Sequence, residues 1–212
     1  MRAAHNVPML VLRLIRHGQT DWNVQSRFQG QVDVPLNALG LAQAQRLAMR
    51  LKGEPAEPLV VSDLLRTRQT AQAIEPVWTV QAQPSATWRE QSFGVLEGMV
   101  AQDIAQQYPH EWRQWLSYRS DYVPPGGESM QMLDARIRRA VREVVSLCEQ
   151  LQAPSCTVVT HGAVLDVIWR WAHGLDLEGP RKCPIPNVGL NTVRTDGEVM
   201  ELAQWADDAH AR

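Results

Sequence analysis

MLVLRLIRHG, residues 9–18, is the stretch on which the fold turns. Met9 to Ile15 is a short apolar run that reads as a buried strand, and it leads directly into a glycine turn at Gly18. Downstream, short β-type runs alternate with longer helical ones. Asn37 is placed to N-cap a helix through Leu41, Ala44, Leu47, Ala48 and Leu51, with Gly53 and Pro55 as its stop. Leu59 to Val61 reads as a second strand, followed by a helix from about Leu64 to Ile74; residues 80–88 suggest a third strand.

The PPGG at 124–127 marks a loop. After it, Leu133, Ile137, Val141, Val144, Cys148 and Leu151 recur on one face of a long amphipathic helix. Thr157 to Thr160 is another strand, ending at His161-Gly162, with a helix at about Val164 to Ala172. Val188 to Arg194 and Val199 to Ala203, around Asp196-Gly197, read as a hairpin. Such alternation implies an α/β three-layer sandwich with a mostly parallel central sheet, spanning 1–212 as one domain. Sites in such sheets lie at the carboxyl ends of strands. Arg16-His17, Ser62-Asp63 and His161 all fall there.

Bulk properties bound the possibilities. The chain has 212 residues, 44% apolar and 21% charged, as an ordinary globular protein does. A net charge of −2 gives no global attraction for nucleic acid or an anionic membrane, so neither is expected as a partner. An anionic substrate would need a local cation cluster, and arginine supplies it, since lysine occurs only at Lys52 and Lys182. Cys148, Cys156 and Cys183 form no C-x-x-C pattern, and their odd number fits a reducing compartment. The apolar run from Val7 to Ile15 is interrupted by Arg13 and lacks the features of a signal peptide. A cytoplasmic location is the expectation.

Four segments carry candidate chemistry. In LIRHGQTDWN, residues 14–23, His17 can attack a phosphate as a neutral imidazole, with Arg16 as a planar donor fork. Gly18 would let backbone amides approach the anion, while Thr20 and Asn23 add neutral donors. A lone Arg-His pair at a strand end reads more readily as a hydrogen-bonded structural histidine than as a catalyst. In SDLLRTRQTA, residues 62–71, Arg66 lies one turn into the helix and can face the rim, whereas Arg68 points elsewhere. Asp63 reads as an N-cap or as an arginine-orienting partner. In WREQSFGVLEG, residues 88–98, Glu90 can protonate a leaving alkoxide and later deprotonate water. Glu97 is its rival, although Gly98 suggests a turn there. In VVTHGAVLDV, residues 158–167, His161-Gly162 repeats the strand-end arrangement of His17-Gly18 and can stabilise a transferring phosphoryl group. A metal site from His17, Asp21, His161 and Asp166 is the competing reading, but no metal-ligand spacing supports it.

In this order and spacing the segments resemble the histidine phosphatase superfamily, the phosphoglycerate mutase-like family, from about Met9 to Ala203. RHG with T-x-W-N, Arg16 to Asn23, is the most specific element. FQG at Phe28–Gly30, PLNALGLAQA from Pro35, SDLLRTRQTA, the run Arg89–Gly98, PGGES from Pro125 and THG at Thr160–Gly162 accompany it. The resemblance implies that His17 becomes phosphorylated and that Arg16, Arg66 and His161 form the phosphate pocket. Asn23, Thr20, Gln29, Gly30 and Gly162 would add substrate contacts, with Glu90 as proton donor. No metal or organic cofactor is expected. The implied partner is a small phosphorylated metabolite; assembly into a homo-oligomer is left open.

The resemblance leaves water or a second substrate hydroxyl as phosphate acceptor. The compact segment between Glu90 and His161 has no lysine or paired arginines until Arg138-Arg139. That favours a phosphomonoester hydrolase over a phosphoglycerate mutase, with a non-catalytic phosphate-binding module as the remaining alternative. Gln19 stands where mutases carry glutamate, and Asp166 where many relatives carry arginine. Tyr108, Trp112, Trp115 and Tyr118 are spaced as an aromatic stripe, expected to pack a lid helix on the body.

Overall fold

The structure, a computed structural model, describes residues 9–211; Val7 and Pro8, where the expected N-terminal apolar run starts, lie outside them. The opening run forms β1 (Leu10–Arg16). The second strand is β2 (Leu59–Ser62) and the THG strand is β4 (Ser155–Thr160). Between them lies β3 (Gln83–Ser85), only three residues of the expected 80–88, because Pro84 removes a ladder donor and a 3-10 turn takes over at Ala86–Trp88. The tail is a hairpin of β5 (Leu190–Thr195) and β6 (Met200–Asp207).

The sheet runs in the order β3-β2-β4-β1-β5-β6. The pairings β2–β3, β2–β4 and β1–β4 are parallel, while β5 is antiparallel to β1 and to β6. Parallel pairing brings the carboxyl ends of β1, β2 and β4 to one rim, with Arg16 opposite Thr160 in register.

Helices cover both faces. On one, α2 (Ala38–Leu51) and α3 (Leu65–Trp78) bury Leu47, Leu51, Ala71 and Ile74 against Ile15, Leu59, Val61 and Val159. On the other, α6 (Met130–Leu151) and α7 (Gly162–Ala172) pack Leu133, Ile137, Val141, Val164 and Val167 over Leu12, Leu14 and Val158. The period-2 alternation of β1 thus feeds both cores, and each such aliphatic side chain contributes roughly 1.5–3 kcal/mol on burial.

Asn37 caps α2 through its Oδ1, which accepts from the Gly40 amide at 2.9 Å. Two expected core positions lie at the surface. Leu41 turns outward, and Leu151 is exposed where α6 ends at the left-handed Gln152. The expected aromatic stripe is not one helix face either. Pro109 separates α4 (Ala101–Gln107) from α5 (Pro109–Leu116), and Tyr118 follows α5 with a φ of +52°. A four-residue helix α1 (Asp21–Val24) follows the RHG turn. Among the described residues no helix is long and apolar enough to cross a membrane.

Candidate active site

Strand β1 delivers Arg16 and His17 to the rim, where the His17 amide extends the ladder by donating to the Thr160 carbonyl at 3.0 Å. The His17 ring is buried, with Nδ1 2.7 Å from the Gly18 carbonyl. A carbonyl only accepts, so Nδ1 carries the proton and Nε2 keeps its lone pair. Burial, then the positive charges of Arg66 and Arg16, push the imidazole pKa well below its ordinary 6.5. His17 is therefore a neutral base with a bare Nε2 at physiological pH.

Gly18 has a role different from the one expected. A Cβ there would lie 2.6 Å from the Gly40 carbonyl of α2, and its N–H is donated to Thr70 Oγ1 at 3.1 Å. The glycine permits close packing of the turn on α2, and its amide is already engaged. Thr20 is fully buried and caps α1 reciprocally with Asn23, at 3.0 and 3.1 Å. It thus orients Asn23 and does not line the cleft.

Arg66, one turn into α3, is fully buried. Its terminal nitrogens donate to the Val32 and Gly30 carbonyls at 2.9 and 2.7 Å, leaving Nε without a partner. Arg16 donates to the Ile185 carbonyl at 2.6 Å, and its Nε is likewise unpartnered. Burial brings both guanidinium pKa values down to about 10; for Arg16 the next cause is the charge of Arg181. Both remain cations. Arg68 is exposed, as its helical position demands.

Asp63 is no N-cap; both its oxygens accept from Arg89, at 2.7 and 2.6 Å. This pairing lowers the Asp63 pKa, with the Arg89 hydrogen bond as the main cause. Glu90 reaches the N-terminus of α7, where its carboxylate accepts the Ala163 amide at 3.0 Å and the Gln91 amide at 2.9 Å. Glu97 is held elsewhere by the Gln31 and Phe93 amides, so it organises a turn.

His161 lies behind His17, ring centroids 5.3 Å apart, and is fully buried. Its Nε2 sits 2.8 Å from Ser62 Oγ and its Nδ1 has no partner. Burial and the charge of Arg66 lead the causes that push its pKa well below 6.5.

Arg16, His17, Asn23, Gln29, Gly30, Arg66, Glu90 and Gly162 line one open cleft of about 320 Å³. Gly30 adopts a φ of +51°, which aims its carbonyl at Arg66. The sequence reading missed Arg181, which also lines this cleft and forms no hydrogen bond or ion pair among the described residues. It lies in an irregular loop with no period to announce it. Its one signal is a cation beside Pro180, just before the last hairpin.

Asp166 is not a cleft residue. It is paired at 3.2 Å with Arg170 one turn later in α7, and Cys183 Sγ lies 3.7 Å away. Asp21 is exposed on α1, and no three His, Cys, Asp or Glu side chains gather as a metal-donor set among the described residues.

A sequence model of the histidine phosphatase superfamily (branch 1) matches residues 12–208. The chain belongs to this superfamily. It is 34% identical over 186 residues to a Serratia proteamaculans protein named "Probable phosphoglycerate mutase GpmB", covering 87% of this chain and 85% of that one. It is 32% identical to the Arabidopsis thaliana phosphoglycerate mutase-like protein 4, covering 93% and 85%. Among solved structures it superposes on Bacillus stearothermophilus YhfR with a TM-score of 0.85 at 26% identity, covering 96% of this chain and 100% of that one. The mycobacterial glucosyl-3-phosphoglycerate phosphatase gives 0.82 at 27% identity, covering 94% and 99%. The superfamily and its sandwich fold thus agree with the sequence reading.

Proposed function

We propose that this enzyme is a phosphomonoester hydrolase that works through a phosphohistidine at His17 on a small phosphorylated metabolite. The observation that carries the reading is the neutral His17, with Nε2 bare, in a cleft shared by one buried guanidinium group, one half-buried one and one carboxylate. Nε2 attacks phosphorus as the bond to the ester oxygen breaks, and Glu90 delivers a proton to that oxygen. Arg16 and Arg66 meet the non-bridging oxygens, and Asn23, Gln29 and the Gly162 amide flank them. Ser62 donates its hydroxyl proton to His161 Nε2, which leaves Nδ1–H as a further donor to the transferring group. Glu90 then takes a proton from water, which attacks phosphorus and breaks the N–P bond, releasing phosphate and restoring His17.

Hydrolysis is favoured over mutase chemistry because the cleft is open to solvent and water is the acceptor at hand. The phosphatase named among the similar structures points the same way, while the relatives named as mutases keep isomerisation as the second reading.

The deciding experiment is phosphate release from a phosphomonoester panel, with 3-phosphoglycerate isomerisation followed alongside and His17→Ala as control. Release that is lost in His17→Ala, with loss of acid-labile labelling by phosphate, is the expected result. Isomerisation with little release would make the enzyme a mutase, and neither activity would favour a binding module.

A further inference from the structure

Beside the cleft lies a second cavity of about 230 Å³. We propose that it receives the leaving group, and that the substrate is a phosphomonoester of an uncharged, ring-bearing alcohol; this rests on the hydrolase reading above. The two spaces are continuous in chemistry. Phe93 and Arg181 line both, and the cavity is also lined by Gln91 and Ala163, whose amides hold the Glu90 carboxylate. A leaving group whose oxygen takes the Glu90 proton is therefore directed into it.

The walls define what fits. Trp115, Tyr118, Tyr122, Met130 and Leu177 present rings and apolar surface. An apolar cavity of roughly 150 Å³ already accommodates benzene, so this one has room for one or two fused rings. The charges at its edge are spent within the protein. Arg119 pairs with Asp121, Arg170 pairs with Asp166, and the Tyr122 hydroxyl donates to Glu111. Among the described charged residues that line it, only Arg181 is left free. With Arg16 and Arg66 it sets three positive charges around the place of the phosphoryl group, beside Glu90 as the acid. A carboxylate on the leaving group would have to share Arg181 with the phosphate or displace Asp121 from Arg119.

The cavity is also preformed. Ser120 donates to Glu178 through both its amide (3.1 Å) and its hydroxyl (2.6 Å), and the Gly179 amide donates to the Tyr118 carbonyl at 3.2 Å. These bonds tie the aromatic wall to the loop that presents Arg181. Phe28, Phe93 and Trp115 meet edge to face with centroids 5.0–5.3 Å apart, which fixes the ring at the junction.

The test measures binding without turnover. Titration calorimetry on the full-length His17→Ala protein compares 2-naphthyl phosphate, glycerol 3-phosphate and 3-phosphoglycerate, with turnover of the same esters followed on the unaltered protein. Burying one aromatic ring corresponds to roughly ten- to a hundredfold in affinity, so the naphthyl ester binds tighter than the other two by about that factor. Adding Tyr118→Asn, a substitution suited to the φ of +52°, cuts the preference to less than about threefold. Equal or tighter binding of either small ester, or a preference that survives Tyr118→Asn, overturns the assignment. If the naphthyl preference behaves as stated but no ester releases phosphate, the cavity assignment stands and the hydrolase reading fails. Release with 3-phosphoglycerate preferred does the reverse.

Discussion

Replacing Arg170 by methionine tests the least expected contact network of the site. Arg170 is 3% exposed, and every one of its donor nitrogens is engaged. One faces Asp166, itself 5% exposed; the others clamp the carbonyls of Asp176, Glu178, Gly179 and Pro180 at 2.8–3.0 Å. Methionine keeps an unbranched apolar stem of similar reach but strands the Asp166 carboxylate, with only the Cys183 thiol nearby. Breaking a buried pair in this way costs about 3–5 kcal/mol. The four freed carbonyls lie in a half-exposed loop and regain water, so they add little to that figure. Asp166→Asn retains the clamp and costs less, about 1–3 kcal/mol. Urea unfolding reads the difference, and Asp166→Leu combined with Arg170→Met recovers part of the loss because no unpaired charge remains. Since the clamp fixes the chain leading to Arg181, KM also rises in Arg170→Met more than in Asp166→Asn. A cost below about 1 kcal/mol for Arg170→Met would refute the reasoning.

Other predictions follow from single contacts. Glu90→Gln lowers kcat/KM on alkyl phosphates by about 10²–10⁴, and far less on p-nitrophenyl phosphate, whose leaving group hardly needs a proton; equal losses would remove Glu90 from the acid role. Ser62→Ala releases His161 from its tautomer and lowers kcat about tenfold, the equivalent of one hydrogen bond, and an unchanged kcat would show that Ser62 does not set it. Gly30→Ala drives a Cβ to 2.0 Å from the pinned Glu97 carboxylate at a φ of +51°, and thermal melting should show a loss of about 1–3 kcal/mol. The buried histidines predict a pH dependence of stability. Their folded pKa values lie below 6.5, so the unfolded chain binds more protons beneath that pH and stability falls as the solution is acidified from about 6.5. Each contributes a slope of about 1.4 kcal/mol per pH unit until its folded pKa is reached. His161→Gln should flatten the urea-derived slope just below pH 6.5, and parallel slopes would contradict it.

What the chain made legible divides along physical lines. Strands β1, β2 and β4 were readable because buried strands concentrate β-branched and aliphatic residues, and their shared polarity placed His17, Ser62 and His161 on one rim. Arg66 could be told from Arg68 because 3.6 residues per turn decides which side chain faces the strand end. The 80–88 segment was overextended because a single proline and a 3-10 turn outweigh local β propensity. Thr20 was read as a donor although T-x-x-N also has the spacing of a reciprocal cap, which the structure forms. The stripe from Tyr108 to Tyr118 matched a helical period, yet Pro109 sits within it and only Trp115 and Tyr118 reach the second cavity. Arg181 escaped because its position is set by contacts made from α7, with Arg170 holding residues 176, 178, 179 and 180, and no periodicity in a loop reports that.

The distribution of unsatisfied groups argues for the proposed chemistry independently of the motifs. Buried polar atoms without a partner cost roughly 1–3 kcal/mol each, so a cluster of them marks a place where something outside the protein supplies the other half. Of the seven such atoms among the described residues, four, Arg16 Nε, Arg66 Nε, His161 Nδ1 and Gln29 Oε1, belong to the cleft or to the ring behind it, while Arg13 Nη1, Asp134 Oδ1 and His210 Nδ1 lie elsewhere. The two arginine atoms are obligate donors. His161 Nδ1 is a donor when Ser62 donates to Nε2. The side-chain amide of Gln29, turned over, would present donors at the same place. A set of donors gathered at and behind one cleft, in which two further guanidinium hydrogen bonds are spent on holding Arg66 in orientation, matches an acceptor-only anion with several equivalent oxygens. The same donors are already oriented before the oxygens of the transferring group arrive, so no reorganisation is owed when charge builds on them. Stability forgone at these donors thus becomes binding energy for the phosphoryl group, and His17, kept neutral by burial and by the same cations, is positioned to use it.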